Sequence, residues 1–219
     1  MKILKSSSNY FYEDLKYILE NRSHHNFKKI DEDVKKIINQ VINSGDKALF
    51  KYIKKFEKKI VNSSNIAMSE EMRESYKGKI DPKIMNAFKV SIKNTIKFHK
   101  KQKPKNYEIS DSGVKTSCLW KPIQSVGLYV PGGNAIYPSS LIMNVVPAKV
   151  AGVKRIVVAT PKNSSKNNLY LLALLAELNI TEIYQMGGAH AIAALAYGTA
   201  SIKPVNKIFG PGNSYVASA

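Results

Sequence analysis

The chain has 219 residues, with 34 Lys or Arg against 16 Asp or Glu, and its formal net charge is +18. Hydrophobic residues make up 44% and charged residues 23%, which is ordinary globular usage and excludes a disordered or collagen-like chain. The single cysteine, Cys118, excludes an intrachain disulfide and a multi-cysteine zinc cluster, and no apolar run is long enough for a membrane span or a signal peptide. We therefore expect a soluble, cytoplasmic protein of one or two domains with no membrane partner.

The first part of the chain carries helical patterns, and we expect a helical region over 1–110. Apolar residues recur at helical spacing before Gly45 and again after Asp46, which predicts two helices with a break between them. The residues predicted to face inward are Val34, Ile37, Ile38, Val41, Ile42, Ala48, Leu49, Tyr52, Ile53 and Phe56. A short helix is expected to open at Ser69, where two acids in the first turn favour the helix dipole, and a longer one to run over 81–103, where Asp81 is the N-cap and Pro82 takes the first helical position.

From residue 111 onward, short apolar strands alternate with helices. This pattern predicts an α/β fold in which a Rossmann-like, mostly parallel sheet with flanking helices occupies 111–219. Strands are expected at 114–121, 125–130, 155–160, 182–186 and 206–209, and helices at 139–152, 166–178, 189–196 and from 213 onward. Pro147 lies inside the first of these helices, where we expect a kink or a break. The last helix has few residues and no stop signal, so we expect the final βα unit to be incomplete.

The positive charge raises the alternative of a basic nucleic-acid-binding protein. Residues 1–111 hold 25 basic and 14 acidic groups, and the excess continues through the rest of the chain, so it forms no single basic arm. Only Arg22, Arg73 and Arg155 are arginines, whereas base-edge and bidentate phosphate contacts favour arginine. The charge is better explained by solvated, lysine-rich helix faces, with nucleic acid kept as the alternative.

Three predicted strands end in glycine-rich turns that lead towards helices, at 129–133, 186–188 and 209–213. In open parallel sheets the carboxyl ends of the strands form the ligand crevice. A glycine turn before a helix N-terminus allows close backbone approach and suits phosphate groups. None of the three matches the standard G-x-G-x-x-G sequence, so the pattern indicates a phosphate-bearing or nucleotide ligand without specifying a dinucleotide.

Single polar residues near these turns are candidates for ligand contacts. Tyr129 either contacts a ligand or packs as a strand aromatic. His190 either bonds a ligand or, more commonly for a histidine in a first helical turn, contacts solvent. Asn213 is well placed as an N-cap, which would explain it fully. His99, on the inner edge of the long helix, is expected to be a hydrogen-bonded histidine at a helix interface.

Three longer segments carry a resemblance to a known family. Ser125-Val-Gly-Leu-Tyr-Val-Pro-Gly-Gly133, Gly187-Gly-Ala-His-Ala-Ile-Ala-Ala-Leu-Ala-Tyr-Gly198 and Lys207-Ile-Phe-Gly-Pro-Gly-Asn213 closely resemble the histidinol dehydrogenases, and the resemblance extends over almost the whole chain. It implies oxidation of L-histidinol to L-histidine through histidinal, with two NAD⁺ used in succession and one bound zinc. It also implies a homodimer whose active sites include residues of both subunits.

The resemblance further implies where this chain meets the cofactor. It implies NAD contacts at Tyr129, at Asn213 and at the position of His190, where the family commonly has Gln. A neutral histidine can donate or accept one hydrogen bond at its free nitrogen, but not both. The resemblance places the zinc ligands and a catalytic Glu-His pair after the Gly-Pro-Gly-Asn motif, so we expect none of them in this chain. We therefore expect an N-terminal portion that holds part of the NAD site and is inactive alone.

Overall fold

The structure is a computed structural model that describes residues 4–24, 27–132, 137–161 and 168–219, with the backbone only for 20–24 and 27. Gly133 of the first glycine turn and the expected start of a helix at residue 166 lie outside the described residues. The described elements, in chain order, are α1 (Phe11–His24), α2 (Phe27–Glu57), α3 (Glu70–Glu74), α4 (Pro82–Gln102), β1 (Tyr107–Asp111), β2 (Val114–Cys118), β3 (Ser125–Tyr129), α5 (Pro138–Ala151), β4 (Arg155–Ala159), α6 (Asn168–Glu177), β5 (Glu182–Tyr184), α7 (Gly188–Tyr197), β6 (Lys207–Phe209) and α8 (Ser214–Ser218).

Helix α2 contains the predicted break. Gly45 has φ 50° and ψ −129°, a non-helical conformation that divides the helix into two. Most of the predicted inward-facing residues are buried or partly buried, but Ile42 is 47% exposed and Phe56 is 51% exposed. Ile42 lies about 100° around the helix from the centre of the buried stripe, which explains its exposure. Phe56 borders a pocket described below.

The predicted starts of α3 and α4 are confirmed by their caps. The hydroxyl of Ser69 accepts the Met72 N–H at 3.1 Å, and the carboxylate of Asp81 accepts the Lys83 N–H at 2.7 Å. Each cap satisfies a backbone donor that has no partner inside its helix. The two helix starts therefore follow from the local sequence.

Helix α4 packs against α5, and its partly buried residues Phe88, Ile92 and Ile96 contact the buried cluster on that face of the sheet. His99 lies near the end of the same helix. Its Nε2 is buried and has no hydrogen-bond partner among the described residues. The expectation of a hydrogen-bonded interfacial histidine is therefore wrong for this nitrogen.

Strands β1 and β2 form an antiparallel hairpin that the sequence analysis recognised only in part. The predicted strand at 114–121 corresponds to β2 but ends earlier, at Cys118, and β1 was not predicted. The strands are largely exposed, so they lack the buried apolar run that marks the other strands. Because β1 crosses the expected boundary between 110 and 111, the hairpin joins the two regions, and the division into two domains stays a prediction.

The remaining described strands form one parallel sheet in the order β5-β4-β3-β6. Tyr129 of β3 lies opposite Ala159 of β4, which lies opposite Tyr184 of β5, so these strands end at the same edge. Alternate residues face opposite sides of a strand. On one face Val126 and Leu128 pack with α5 and α6, while on the other the sheet packs with α2, α7 and α8. The predicted parallel sheet with flanking helices is confirmed.

Helix α5 is continuous through Pro147, so of the kink or break expected there the break is wrong, and the kink stays a prediction. Proline removes the N–H that would bond to the carbonyl of Met143, four residues earlier. Met143 is 53% exposed, so water can reach its surroundings. The buried residues of the helix hold it on the sheet and offset the loss, and they are Leu141, Ile142, Val145 and Val146.

Candidate functional site

A pocket of about 660 Å³ lies beside the carboxyl ends of β3 and β5, where α2 crosses the start of α7. Its lining includes the three site residues that the sequence analysis named, Tyr129, His190 and Asn213. The other lining residues are Asp33, Lys36, Ile37, Gln40, Tyr52, Lys55, Phe56, Glu57, Gly132, Pro161, Gly187, Gly188, Ala189 and Tyr215. The N-terminal helices therefore supply one wall of the pocket and the strand-to-helix turns supply the other.

Tyr129 is the last residue of β3 and is 6% exposed. Its hydroxyl oxygen accepts the Gly188 N–H at 3.2 Å, and this contact joins the end of β3 to the first turn of α7. Burial raises the pKa of Tyr129 above the ordinary value, and the negative charge of Glu57 acts in the same direction. The phenol therefore keeps its proton at neutral pH and can donate a hydrogen bond.

His190 lies in the first turn of α7 and is 2% exposed, so the expectation of solvent contact is wrong. It is buried because α2 packs across α7, and its ring lies against Tyr52 and Phe56 at centroid distances of 6.0 and 5.9 Å. Nε2 of His190 lies 3.5 Å from Oε1 of Glu57 and has no hydrogen-bond partner among the described residues. The imidazole is thus a buried polar group with an unused nitrogen.

Glu57 is a site residue that the sequence analysis missed. It ends α2, and its Oε1 accepts the Gly187 N–H at 3.0 Å. Oε2 is buried without a hydrogen-bond partner in the described part of the chain and lies 3.6 Å from Nζ of Lys59. One signal was present in the sequence, since Glu57 is four residues after inward-facing Ile53 and so shares its helix face.

Asn213 is the N-cap of α8, as the sequence predicted. Its side-chain Oδ1 accepts the Val216 N–H at 3.1 Å. The cap uses the oxygen of the side chain, and the amide N–H groups are chemically suited to bind an acceptor on a ligand. Asn213 therefore combines a structural role with a position on the pocket wall.

Two glycines allow the turns around the pocket to pack closely. A Cβ at Gly187 would lie 2.3 Å from Cγ of Pro161. A Cβ at Gly210, where φ is +140°, would lie 2.0 Å from the carbonyl oxygen of Tyr129. A side chain at either position would push neighbouring turns apart, so Gly187 shapes the pocket wall and Gly210 lets the turn after β6 approach the end of β3.

The pocket offers several kinds of contact to a ligand. The rings of Tyr52 and Phe56 stack with an interplanar angle of 3° and present apolar surface. The exposed lysines Lys36 and Lys55 at the rim can attract an anionic group. Glu57 supplies an acceptor and Tyr129 a donor, so the chemistry suits a ligand with a flat ring, hydroxyl groups and negative charge.

Two features are absent from the described residues, a metal-ligand cluster and a membrane-spanning helix. No group of three or more His, Cys, Asp or Glu side chains among them could hold a metal ion. None of the helices in the described ranges is long and apolar enough to cross a membrane.

Comparisons with known proteins point to one enzyme family. The family model described as histidinol dehydrogenase matches residues 20–219. The chain is 53% identical over 142 residues to the histidinol dehydrogenase of Listeria innocua, an alignment covering 64% of this chain and 33% of that protein. It is 45% identical over 156 residues to the histidinol dehydrogenase of Carboxydothermus hydrogenoformans, covering 71% of this chain and 37% of that protein.

A solved structure shows the same similarity. The crystal structure of histidinol dehydrogenase from Elizabethkingia anophelis matches with a TM-score of 0.78 and 32% identity. The match covers 88% of this chain and 47% of that chain. The chain thus spans about a third of the length of the curated relatives and about half of the solved chain.

Proposed function

The chain belongs to the histidinol dehydrogenase family, and from that membership we propose that it binds NAD⁺ for the oxidation of L-histidinol to L-histidine. The observation that carries this proposal is the pocket shared by Tyr129, His190 and Asn213, the three positions at which the family resemblance implies NAD contacts. These residues are far apart in sequence, yet the fold brings them to one cavity. The proposal therefore joins family membership to a specific site.

The residues of the pocket fit the chemistry of a dinucleotide. The Tyr129 hydroxyl can donate a hydrogen bond, and the amide group of Asn213 can do the same. The rim lysines Lys36 and Lys55 offer positive charge to a pyrophosphate. When bound, NAD⁺ accepts the hydride, and the chain's own residues bind and orient it.

Zinc and a second subunit are part of the family resemblance. We assign zinc to none of the described residues, because they contain no suitable group of ligands, and we derive no step through it. We propose that the protein acts as a homodimer and that this chain alone forms no NADH from histidinol. The proposal that this chain alone is inactive is supported by its length, because it spans only about a third of the relatives it matches.

The basic nucleic-acid-binding alternative is not favoured. The family model covers residues 20–219, nearly the whole chain, and belongs to an enzyme. The rim lysines are equally compatible with a phosphate-bearing cofactor. Net charge by itself gives no reason to prefer a polyanion.

Calorimetric titration with NAD⁺ tests the binding proposal directly. We expect saturable binding by the unaltered chain and about fivefold weaker binding by Tyr129→Phe, the effect of one lost hydrogen bond. Tyr107→Phe on the exposed hairpin is the matched control, with thermal melts of all three proteins to compare their folding. Absence of saturable NAD⁺ binding by the unaltered chain would contradict the proposed function. Histidinol-dependent NADH formation by this chain alone would contradict the proposal that it is inactive without further residues.

A further inference from the structure

Glu57 and His190 both line the pocket, and each has one buried polar atom without a hydrogen-bond partner among the described residues. We propose that they bind the two neighbouring hydroxyl groups of one ribose of NAD⁺, with Glu57 as a cofactor-binding residue. This inference rests on the proposed function, since it identifies which part of the cofactor meets this wall. Neither the site residues predicted from the sequence nor those implied by the family resemblance include Glu57.

The first step is that the Glu57 carboxylate is fixed in place. Its Oε1 accepts the Gly187 N–H at 3.0 Å, and the side chain is 11% exposed. Gly187 itself packs tightly on Pro161, where a Cβ would lie 2.3 Å from Cγ. The carboxylate is therefore held against a turn that has little room to move.

The second step is that two polar atoms of this wall have no hydrogen-bond partner. Oε2 of Glu57 and Nε2 of His190 are both buried without a hydrogen-bond partner among the described residues. Leaving such groups unpaired is costly, so a partner supplied by a ligand would be strongly favoured. Lys59 lies 3.6 Å from Oε2, which partly offsets the charge without making a hydrogen bond.

The third step is the identity of the ligand group. An ionised carboxylate only accepts hydrogen bonds, so its ligand must donate. The pyrophosphate of a dinucleotide is anionic and is repelled by Glu57, whereas a ribose hydroxyl donates and carries no charge. The second hydroxyl of the same ribose can pair with Nε2 of His190, because a hydroxyl both donates and accepts. A carboxylate that binds a ribose hydroxyl is an established way of holding NAD.

Access to these atoms requires a movement. Both are shielded from water, and half-exposed Phe56 lies with its ring against His190. Rotation of the Phe56 side chain would open the wall and place its ring beside the incoming nucleotide. The proposal therefore includes a local side-chain change on binding.

Glu57→Gln is the sharpest variant, because Gln keeps an oxygen for the Gly187 N–H while it removes the charge and replaces the second oxygen with an amide. We expect this variant to bind NAD⁺ about tenfold more weakly in calorimetric titrations, the effect of losing one hydrogen bond to a charged group. Glu108→Gln is the matched control. It makes the same charge change on the exposed hairpin, away from the pocket, and we expect it to bind NAD⁺ as the unaltered chain does.

Titration with NADP⁺ identifies the ribose. If the adenosine ribose is bound at this wall, Glu57 repels the 2′-phosphate that NADP⁺ carries on that ribose. Glu57→Gln should then reduce the preference for NAD⁺ over NADP⁺. If the nicotinamide ribose is bound, the variant should weaken both cofactors equally. Either result supports a ribose contact at Glu57.

Equal NAD⁺ affinity in Glu57→Gln and Glu108→Gln would overturn the inference while leaving the proposed function intact. Failure of the unaltered chain to bind NAD⁺ would overturn both. If Glu57→Gln does not fold, the ¹³C shift of the Glu57 carboxyl carbon in the unaltered chain gives the answer. A change on NAD⁺ addition supports the contact, and an unchanged shift at saturation overturns it.

Discussion

Asn213 has two roles in the structure that a single substitution can separate. Its side-chain oxygen caps α8 through the Val216 N–H, and the residue also lines the proposed NAD pocket. Aspartate caps helices as well as asparagine, so Asn213→Asp keeps the cap. It also removes the amide donor and adds negative charge. We expect unchanged thermal stability and about tenfold weaker NAD⁺ binding, measured by melts and calorimetry.

Asn213→Ala provides the complementary control. It removes both the cap and the amide, so it should lower the free energy of unfolding by about 1 kcal/mol as well as weaken binding. If Asn213→Asp binds NAD⁺ as tightly as the unaltered chain, Asn213 is a cap alone. That outcome would remove it from the proposed site.

At the scale of elements, Arg155 ties β4 to β5 and to the segment before β6. Its Nε and Nη2 donate to the two carboxylate oxygens of Glu182 at 2.8 and 2.6 Å. The same guanidinium donates to the carbonyl oxygens of Lys203 and Pro204 at 2.8 and 2.7 Å. Lysine cannot reproduce this planar pattern of donors. Tyr184 joins the group by donating its hydroxyl to Glu182 at 3.1 Å.

This cluster predicts a loss of stability at alkaline pH. Burial, followed by the nearby Glu182 carboxylate, raises the pKa of Tyr184 from 10.0 to about 12. Between these values the unfolded chain loses a proton that the folded chain keeps, so the free energy of unfolding falls as pH rises. The stabilising contribution is complete below pH 10 and is lost towards pH 12. Over this pH range the free energy of unfolding should fall in both proteins. We expect the fall to be roughly 1 to 2 kcal/mol smaller in Tyr184→Phe than in the unaltered chain.

Urea unfolding at a series of pH values measures this difference. Tyr107→Phe, on the exposed hairpin, controls for removal of a phenol elsewhere. Its free energy of unfolding should fall with pH in parallel with that of the unaltered chain. If the free energy of unfolding of Tyr184→Phe falls in parallel as well, Tyr184 does not cause the loss of stability at alkaline pH.

The elements that the sequence predicted well are those with strong local signals. The starts of α3 and α4 are fixed by the caps at Ser69 and Asp81, and the buried strands by short apolar runs. Strand β1 has no buried side, so its residues gave no such signal. The continuity of α5 through Pro147 depends on packing against the sheet. The low helix propensity of proline is a local property and does not include that packing.

The candidate site likewise has parts that local sequence signals predict and parts that depend on tertiary packing. The glycine turns placed Tyr129, His190 and Asn213 at strand ends, and the parallel sheet brings them to one pocket. The burial of His190 and the contact of Glu57 with Gly187 depend on how α2 crosses α7. That crossing joins residues 130 positions apart, so no local pattern indicates it.

At the scale of the whole molecule, the N-terminal helices and the sheet share a core. One buried cluster contains Val41, Leu49 and Ile53 of α2 together with Val157 of β4 and Leu195 of α7. A polar contact adds to it, since the Ser201 hydroxyl donates to Asp46 at 2.7 Å. The regions 1–110 and 111–219, proposed as two domains, are therefore expected to unfold together, because neither retains this core without the other.

Leu49→Ala tests this coupling. Leu49 is 0% exposed, and its truncation should lower the free energy of unfolding by about 2 to 5 kcal/mol. We expect one transition, shifted equally whether it is followed by far-ultraviolet or near-ultraviolet circular dichroism. Ile42→Ala, at a 47% exposed position of the same helix, should shift the transition far less.

Since α2 also supplies Glu57, Tyr52 and Phe56 to the pocket, unfolding of the helical region would remove one pocket wall. NAD⁺ should therefore raise the midpoint of the whole transition. Two separate transitions, with only one sensitive to Leu49→Ala, would show that the helical region and the sheet are independent units.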